Sequence, residues 1–294
     1  MVERRRHEVT GPGGRRLVVE DAGPLDGAPL LLHAGTPGTG SIFEPTLAAG
    51  AARGIRHVSY ARPGYGGSDR DPGRVVADCV ADTAAVADQL GIDRFHLSGW
   101  SGGGPHALAC AALLGERVRA ATIVASFAPR HGENLDWLAG MATENRAEFA
   151  AGEAGDRQLR SFLVAAAAGL GAIDVERPQE TFGELLGDVD RAVITAESAR
   201  HGGRVMPDAL RDGIWGWFDD DLAFLTGWGF ELASIRVPVA IWHGGDDRMV
   251  PIAHGRWLAA HVPGARPRLL PEEGHISLEL RRYGDILDDL LELG

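Results

Sequence analysis

The stretch His96–His106 reads HLSGWSGGGPH and sets Ser101 among four glycines. An apolar run precedes it and a run of small residues follows it, which predicts a strand, a tight turn and a helix. Glycine inside a regular element costs backbone entropy without adding packing, so these glycines indicate a turn that side chains would obstruct. Pro105 suits the first turn of the following helix, where its missing N–H needs no replacement. We therefore expect Ser101 at the tip of a strand–turn–helix unit.

Ser101 is the central residue of a G-x-S-x-G pattern, Gly99–Gly103, which is typical of a nucleophile elbow. The N-terminus of the helix would direct partial positive charge at an oxyanion formed above this serine. The alternative interpretation is a glycine-rich turn with an incidental serine, because the pattern also arises by chance. The flanking strand and helix favour a nucleophilic serine.

The sequence on both sides of this unit alternates between strand-like and helix-like segments. Strands are predicted at Arg16–Glu20, Pro29–Leu32, Ile55–Tyr60, Phe95–Ser98 and Ala120–Ala125, and helices at Val75–Leu90 and Pro105–Leu114. Alternation of this kind predicts an α/β fold with a mostly parallel central sheet and helices on both faces.

The alternation stops near Pro129 and resumes after Pro238. The intervening sequence is rich in Ala, Glu, Asp, Arg and Leu without a convincing strand. The later predicted elements are strands Val239–Trp242 and Arg268–Leu270 and helices Ile252–His261 and Leu278–Leu291. We therefore predict a core domain of residues 1–128 and 234–294, interrupted by a helical cap, or lid, of residues 129–233, a size usual for a subdomain.

The predicted cap contains four tryptophans, Trp137, Trp215, Trp217 and Trp228. They are candidates for an apolar lining above a site. Packing of the cap against the core is the preferred interpretation for most of them, because aromatic side chains dominate cores in general.

A nucleophilic serine requires a base and an acid. Of the 11 histidines, His275 follows the last strand and a turn (PEEGHISL), which predicts a loop at the carboxyl edge of the sheet, where sites assemble. Asp246 and Asp247 follow the preceding strand within IWHGGDDRMVP, and the order Ser…Asp…His is the one expected of this elbow type. The alternative role for either aspartate is helix capping or turn formation.

The segment Leu30–Gly40, LLLHAGTPGTG, predicts a strand that ends in a Gly/Pro loop. A backbone N–H of such a loop, together with the N–H of the residue after the nucleophile, would form an oxyanion hole. The alternative is a simple turn.

Composition excludes several classes of function. The chain of 294 residues has a formal net charge of −12, which disfavours binding to nucleic acid or to an anionic membrane. Cys79 and Cys110 form neither a disulfide framework nor a metal-binding spacing and are expected to be buried thiols. The apolar run FLVAAAAGLGAI from Phe162 is too short to span a bilayer, and no signal-peptide core follows the N-terminal arginines. We expect a cytoplasmic protein without membrane association.

The Gly/Pro loop, the G-x-S-x-G turn, the aspartate pair and His275 follow one another in an order that resembles the α/β-hydrolase superfamily, and the resemblance covers nearly the whole chain. The segment Ala61–Arg70 (ARPGYGGSDR) is similar to a loop that follows the fourth strand in that family. The resemblance implies that Ser101 is the nucleophile, His275 the base and Gly102 one oxyanion donor. The family's spacing from Gly244 and to Pro251 selects Asp247 over Asp246 as the acid.

One loop departs from the family pattern. Relatives carry His-Gly before the second oxyanion donor, whereas this chain has Ala34 at the histidine position and His33 one place earlier. Thr36 is therefore assigned as the second donor through its backbone N–H. The resemblance extends to prolyl iminopeptidases, but their His-Gly-Gly-Pro loop is not reproduced.

The sequence thus predicts a serine hydrolase, without metal or organic cofactor, that cleaves a small ester or related acyl compound such as a lactone or thioester and whose substrate carries an apolar group. A serine at the elbow excludes the aspartate-dependent chemistry of haloalkane dehalogenases and epoxide hydrolases. Aminopeptidase, perhydrolase or haloperoxidase, and C–C bond hydrolase activities use the same triad and stay open, as does a non-catalytic ligand-binding module. The oligomeric state is also open.

Overall fold

Eight strands form one sheet in the computed structural model, which describes residues 2–170 and 183–294. In chain order they are β1 (Arg4–Thr10), β2 (Arg16–Ala22), β3 (Ala28–His33), β4 (Ile55–Tyr60), β5 (Phe95–Trp100), β6 (Val118–Val124), β7 (Val239–Gly244) and β8 (Arg266–Leu270). Their order in the sheet is β1-β2-β4-β3-β5-β6-β7-β8. Strand β2 is antiparallel to both neighbours, and all pairs from β4–β3 to β7–β8 are parallel.

Ten α-helices occur in the described residues. They are α1 (Glu44–Ala51), α2 (Cys79–Gln89), α3 (Gly104–Leu113), α4 (Thr143–Ala154), α5 (Asp156–Leu170), α6 (Asp188–Val193), α7 (Ala196–Ala209), α8 (Trp215–Leu225), α9 (Ile252–His261) and α10 (His275–Leu293). The mostly parallel sheet with its connecting helices confirms the predicted α/β fold.

The burial of each strand explains which strands the sequence revealed. All six residues of β4 and of β7 are buried, as expected for inner strands covered on both faces. Strand β1 lies at the edge and leaves most of its side chains exposed or half-buried, and its sequence RRRHEVT is strongly charged. The sequence therefore does not predict this strand, and β2, β3, β5, β6, β7 and β8 extend beyond the apolar runs that revealed them.

Two helices begin several residues away from the predicted position. The helix expected from Val75 begins as a 3₁₀ turn, because the Val75 N–H donates to the Asp78 carboxylate at 2.7 Å, and the α-helix starts at Cys79. His275 was expected in a loop but is the first residue of α10, after Gly274 at its N-cap. The start of this helix bears directly on the candidate site.

Helices α4–α8 follow β6 and precede β7, and no strand interrupts them in the described part of this segment. Its interpretation as a cap with bounds 129–233 stays a prediction. Three of the four tryptophans pack away from the cavity described below: Trp137 and Trp228 lie in the main apolar core, and Trp215 lies beside Arg70. Trp217 alone among the four lines the cavity.

The C-terminal end of the apolar run from Phe162, residues 171–173, lies outside the described residues. Within the described ranges, no helix is both long and apolar enough to cross a membrane.

Candidate active site

Ser101 lies at the turn between β5 and α3 with a φ of 53°, a strained left-handed conformation for a non-glycine residue. The glycines around it allow close backbone approach. A Cβ on Gly103 would lie 1.9 Å from the His33 carbonyl oxygen, and one on Gly99 would lie 2.6 Å from the Gly103 carbonyl oxygen. A side chain at Gly103 would push the turn away from β3, and one at Gly99 would push the turn away from β5, so both glycines are needed for the position of Ser101.

The loop after β3 lies against this turn. A Cβ on Gly102 would lie 2.4 Å from Thr36 Oγ1 and 3.1 Å from the Thr36 nitrogen. The Thr36 N–H donates to no acceptor in the described part of the chain. The structure therefore brings the two expected oxyanion donors side by side, at the wall of the cavity that Ser101 also lines.

The two adjacent aspartates after β7 have different partners. Asp247 accepts a 2.8 Å hydrogen bond from His275 Nδ1 with one oxygen and the Val250 N–H at 2.7 Å with the other. Asp246 instead accepts the Val189 N–H in the first turn of α6 at 3.1 Å. Asp247 is therefore the aspartate in contact with His275, whereas Asp246 caps α6.

His275 is buried, and burial alone would lower its pKa. Attraction to Asp247 and the hydrogen bond to it outweigh this effect, with further contributions from Asp190 and Glu279, so the pKa of His275 lies above its ordinary value. Its neighbour His243 is also buried, which lowers the pKa of His243, and its Nε2 lies 2.7 Å from the Val250 carbonyl oxygen. His275 is thus the histidine whose imidazolium form this environment favours.

Ser101 and His275 line one cavity of about 900 Å³. No hydrogen bond between their side chains is present among the described residues, whereas the His275–Asp247 bond is formed. Catalytic hydrogen bonds to a nucleophile are often long before substrate binds. The arrangement can therefore support proton transfer from Ser101 once a substrate closes the gap.

An ionic cluster that the sequence did not reveal lies behind the Thr36 loop. Arg62 donates to the carbonyl oxygens of Ala34 and Gly35, at 2.5 and 3.1 Å, and to Thr36 Oγ1 at 2.8 Å. It also forms a 2.6 Å ion pair with Asp220 of α8, and both side chains are almost fully buried. Arg62 and Asp220 thus hold the loop that carries the candidate oxyanion donor.

Asp220 has further buried partners. Arg74 donates to it at 2.6 Å, Tyr65 at 3.0 Å and Thr36 Oγ1 at 2.8 Å. Burial would raise the pKa of Asp220, but attraction to Arg62 and Arg74 lowers it well below its ordinary value. The available sequence signal was the triplet Asp219–Asp221 inside an aromatic-rich helix, where charges are rare unless they are paired.

Asp190 of α6 is a second residue that the sequence analysis missed. Its carboxylate accepts the backbone N–H groups of His275 at 2.9 Å, Ile276 at 3.0 Å and Ser277 at 2.9 Å. It is 0% exposed and thereby caps the helix that begins with His275. No local pattern pairs residue 190 with residue 275, so the contact could not be read from the sequence.

Among the described residues, four carboxyl groups line the cavity: Glu144, Glu148, Asp221 and Glu279. Burial raises the pKa of Glu279 to about 7 and also raises the pKa of Glu148 and Asp221, which lie against each other. The described part of the lining contains no arginine or lysine. The cavity wall therefore combines apolar and aromatic surface with acidic groups.

Cys79 and Cys110 are both buried, with their sulfur atoms 4.0 Å apart. In residues 2–170 and 183–294, no group of three or more His, Cys, Asp or Glu side chains could hold a metal ion.

Comparison with known proteins identifies the family. The Alpha/beta hydrolase family matches residues 30–287, and the chain therefore belongs to it.

Two curated relatives and one solved structure illustrate the range of similarity. The chain is 27% identical over 270 residues to a non-heme haloperoxidase of Rhodococcus erythropolis, covering 91% of this chain and 92% of that protein. It is 29% identical over 223 residues to a pimeloyl-[acyl-carrier protein] methyl ester esterase of Nitrosomonas europaea, covering 72% and 75%. An esterase structure from Exiguobacterium antarcticum aligns with a TM-score of 0.72 at 21% identity, covering 98% of this chain and 100% of that chain. Such relatives support a hydrolase on this fold without defining its substrate.

Proposed function

We propose that the protein is a serine hydrolase that cleaves a small ester, or a related acyl compound such as a lactone or thioester, through an acyl-enzyme at Ser101. The observation that carries the proposal is the Asp247–His275 hydrogen bond of 2.8 Å beside the same cavity as a serine with a φ of 53°. Strained serines at strand-to-helix turns with a paired histidine are typical of acyl transfer.

In this mechanism, Ser101 Oγ attacks the carbonyl carbon and His275 takes the hydroxyl proton on Nε2. Asp247 orients the ring through Nδ1 and stabilises the imidazolium that forms. The N–H groups of Gly102 and Thr36 bind the oxyanion of the tetrahedral intermediate. The intermediate collapses as the bond to the leaving alcohol breaks and the alcohol takes the proton from His275.

Water completes the cycle. The water oxygen attacks the acyl carbon while His275 accepts a proton from the water molecule. His275 then returns that proton to the Ser101 oxygen as the carboxylic acid leaves. Both half-reactions use the same base and the same oxyanion donors, so neither requires a metal or cofactor.

The cavity supports an apolar group on the substrate. Its walls include Phe149, Phe162, Trp217 and Phe224, and a volume of about 900 Å³ lies in the range of sites for small molecules. An esterase among the relatives is consistent with ester cleavage, and the haloperoxidase among them keeps peracid chemistry as a reaction to be tested.

Covalent labelling tests the proposal most directly. We expect a fluorophosphonate to add once to the wild type and not to Ser101→Ala, as read by intact mass, and p-nitrophenyl butyrate hydrolysis to disappear with the label. Ser161→Ala, at an exposed serine of α5, is the matched control and should behave as wild type. A folded wild type that takes no label would instead favour a ligand-binding module on this fold.

A second candidate function, aminopeptidase activity, is favoured by the carboxyl groups in the cavity. Asp221 is 1% exposed, and its Oδ2 has no hydrogen-bond donor among the described residues. A protonated amine would supply that donor and stabilise the ionised form of the Glu148–Asp221 pair, which burial otherwise disfavours. Hydrolysis of prolyl or alanyl p-nitroanilide faster than of matched esters, lost in Asp221→Asn, would support this candidate over the ester hydrolase.

A further inference from the structure

Helix α6 (Asp188–Val193) contacts both the loop that carries Asp247 and the helix that begins with His275. Asp246 accepts the Val189 N–H of α6 at 3.1 Å, and Asp190 of α6 accepts three N–H groups at the start of α10. The acid loop thus caps α6, and α6 in turn caps the helix of the base. The Val189–Asp246 contact spans 57 residues of sequence, and the Asp190–His275 contact spans 85.

Asp190 fits its position closely. A Cβ on Gly274 would lie 2.5 Å from Asp190 Oδ1, so only glycine before His275 leaves room for the carboxylate. No arginine or histidine side chain forms an ion pair with Asp190 among the described residues, and the backbone N–H groups are its hydrogen-bond donors. Its negative charge therefore lies beside His275.

We propose that Asp190 is a positioning residue for catalysis: it fixes the backbone of His275 so that Nδ1 faces Asp247, and its charge favours the imidazolium formed in the transition state. The inference rests on the proposed function, in which His275 is the base. It assigns to the segment between β6 and β7 a part in the chemistry beyond covering the cavity.

Other charged or titratable groups also face His275. Asp247 lies on the β7 loop, Glu279 lies one turn further along α10, and His243 lies at the end of β7. Asp190 differs from all three because it comes from the inserted segment and holds the backbone of His275. Its removal should therefore change both the placement and the charge environment of the base.

The test compares Asp190→Asn with Asp188→Asn, an exposed aspartate two residues earlier on the same helix. Asparagine keeps one acceptor oxygen but removes the charge, and its amide group faces N–H donors that it cannot satisfy. We expect Asp190→Asn to lower kcat for p-nitrophenyl butyrate about 10- to 100-fold with little change in KM, a loss in the range expected for a displaced catalytic group. Asp188→Asn should match the wild type.

A pH profile separates positioning from general stability. Because the charge of Asp190 helps to raise the pKa of His275, the acid limb of kcat/KM should move to lower pH in Asp190→Asn, and loss of stability alone would leave the limb in place. Gly274→Ala, whose methyl group would collide with the Asp190 carboxylate, should shift the profile in the same direction and serves if Asp190→Asn does not fold.

The rate of fluorophosphonate labelling distinguishes the two hypotheses. A wild type that takes no label would contradict the proposed function itself. The positioning role alone would be overturned by a different result. In that result the wild type is labelled, Asp190→Asn and Gly274→Ala both fold and are labelled at the wild-type rate, and the acid limb is unchanged. Slower labelling of both variants with a shifted limb would support it.

Discussion

The candidate site has two halves, a candidate oxyanion half with Thr36 and Gly102 and a candidate base half with Asp247 and His275. Each half receives one buried aspartate from the segment between β6 and β7, but these carboxylates have different partners. Asp220 on α8 pairs with two buried guanidinium groups, those of Arg62 and Arg74, behind the loop that carries Thr36. Asp190 on α6 is bound by three backbone N–H groups at the start of α10. The first aspartate compensates charge, and the second fixes backbone position.

The two environments shift the pKa values in opposite directions. Burial would raise the pKa of Asp220, but Arg62 and Arg74 overcome that effect and lower it well below the ordinary value. Burial raises the pKa of Asp190, and the hydrogen bonds from Ser277 and His275 oppose this only in part. Because Asp220 compensates buried charge and Asp190 holds the backbone of His275, we expect removal of Asp220 to act mainly on stability and removal of Asp190 to act mainly on turnover.

The largest expected effect tests the base half. Asp247→Asn should lower kcat on the order of 10⁴-fold, the loss seen when a triad aspartate is replaced and the histidine tautomer is no longer fixed. Asp246→Asn should keep most of the activity, because Asp246 bonds to the Val189 N–H and not to His275. Steady-state hydrolysis of p-nitrophenyl butyrate measures both variants.

The reverse result, with Asp246→Asn inactive and Asp247→Asn active, would show that the spacing from Gly244 selects the wrong aspartate. It would also remove the basis for expecting kcat to depend more strongly on the base half than on the oxyanion half.

The next effect tests the oxyanion half. Asp220→Ala leaves Arg62 and Arg74 buried without their carboxylate, so the free energy of unfolding should fall by about 3–5 kcal/mol, the usual cost of breaking a buried pair. Urea denaturation followed by tryptophan fluorescence measures the change. Asp212→Ala, at an exposed aspartate just before α8, is the control and should change it little.

A loss of stability in Asp220→Ala no larger than in Asp212→Ala would break the comparison, because the buried guanidinium groups would then have found other compensation.

The sequence predicted the parts of the site that depend on local spacing. The strand–turn–helix pattern around Ser101 lies within a few residues of sequence, and the family resemblance selects Asp247 by its distance from Gly244 along the chain. These features are visible because each pattern is a short run of neighbouring residues. The parallel sheet was predictable for a related reason, since its inner strands are continuous apolar runs.

The residues that support the site could not be predicted in this way. Asp190 meets His275 across 85 residues, and Asp220 meets Arg62 across 158. Both contacts depend on how the segment between β6 and β7 folds back onto the sheet, which no local period encodes. His275 itself was expected in a loop, because the cap that lets α10 begin there is supplied by Asp190 from that segment.

A smaller effect concerns Thr36, which belongs to the oxyanion half. Its proposed catalytic group is the backbone N–H, so Thr36→Val should keep kcat within about tenfold of wild type, less than the loss of an oxyanion donor. The side chain donates to Asp220 at 2.8 Å, and losing that bond should lower the free energy of unfolding by about 1 kcal/mol. Kinetics and urea denaturation on the same preparation test both statements. A kcat reduced 100-fold or more without loss of stability would show that the hydroxyl itself takes part in turnover.

The smallest expected effect is a difference in the pH dependence of stability. The folded-state pKa of Asp220 is lowered, so its contribution is present above the unfolded-state value of 3.8 and is lost as pH falls through the folded-state value. The folded-state pKa of Asp190 is raised above 3.8, so its contribution is present at low pH and is lost as pH rises through the folded-state value. As pH rises from 3.8 through the folded-state value of Asp190, the free energy of unfolding of the wild type should therefore fall relative to that of Asp190→Asn. Urea denaturation across that range measures the difference. The contrary outcome is a wild type that gains stability over Asp190→Asn as pH rises. It would mean that the three N–H groups compensate the Asp190 charge as fully as two arginines compensate the charge of Asp220.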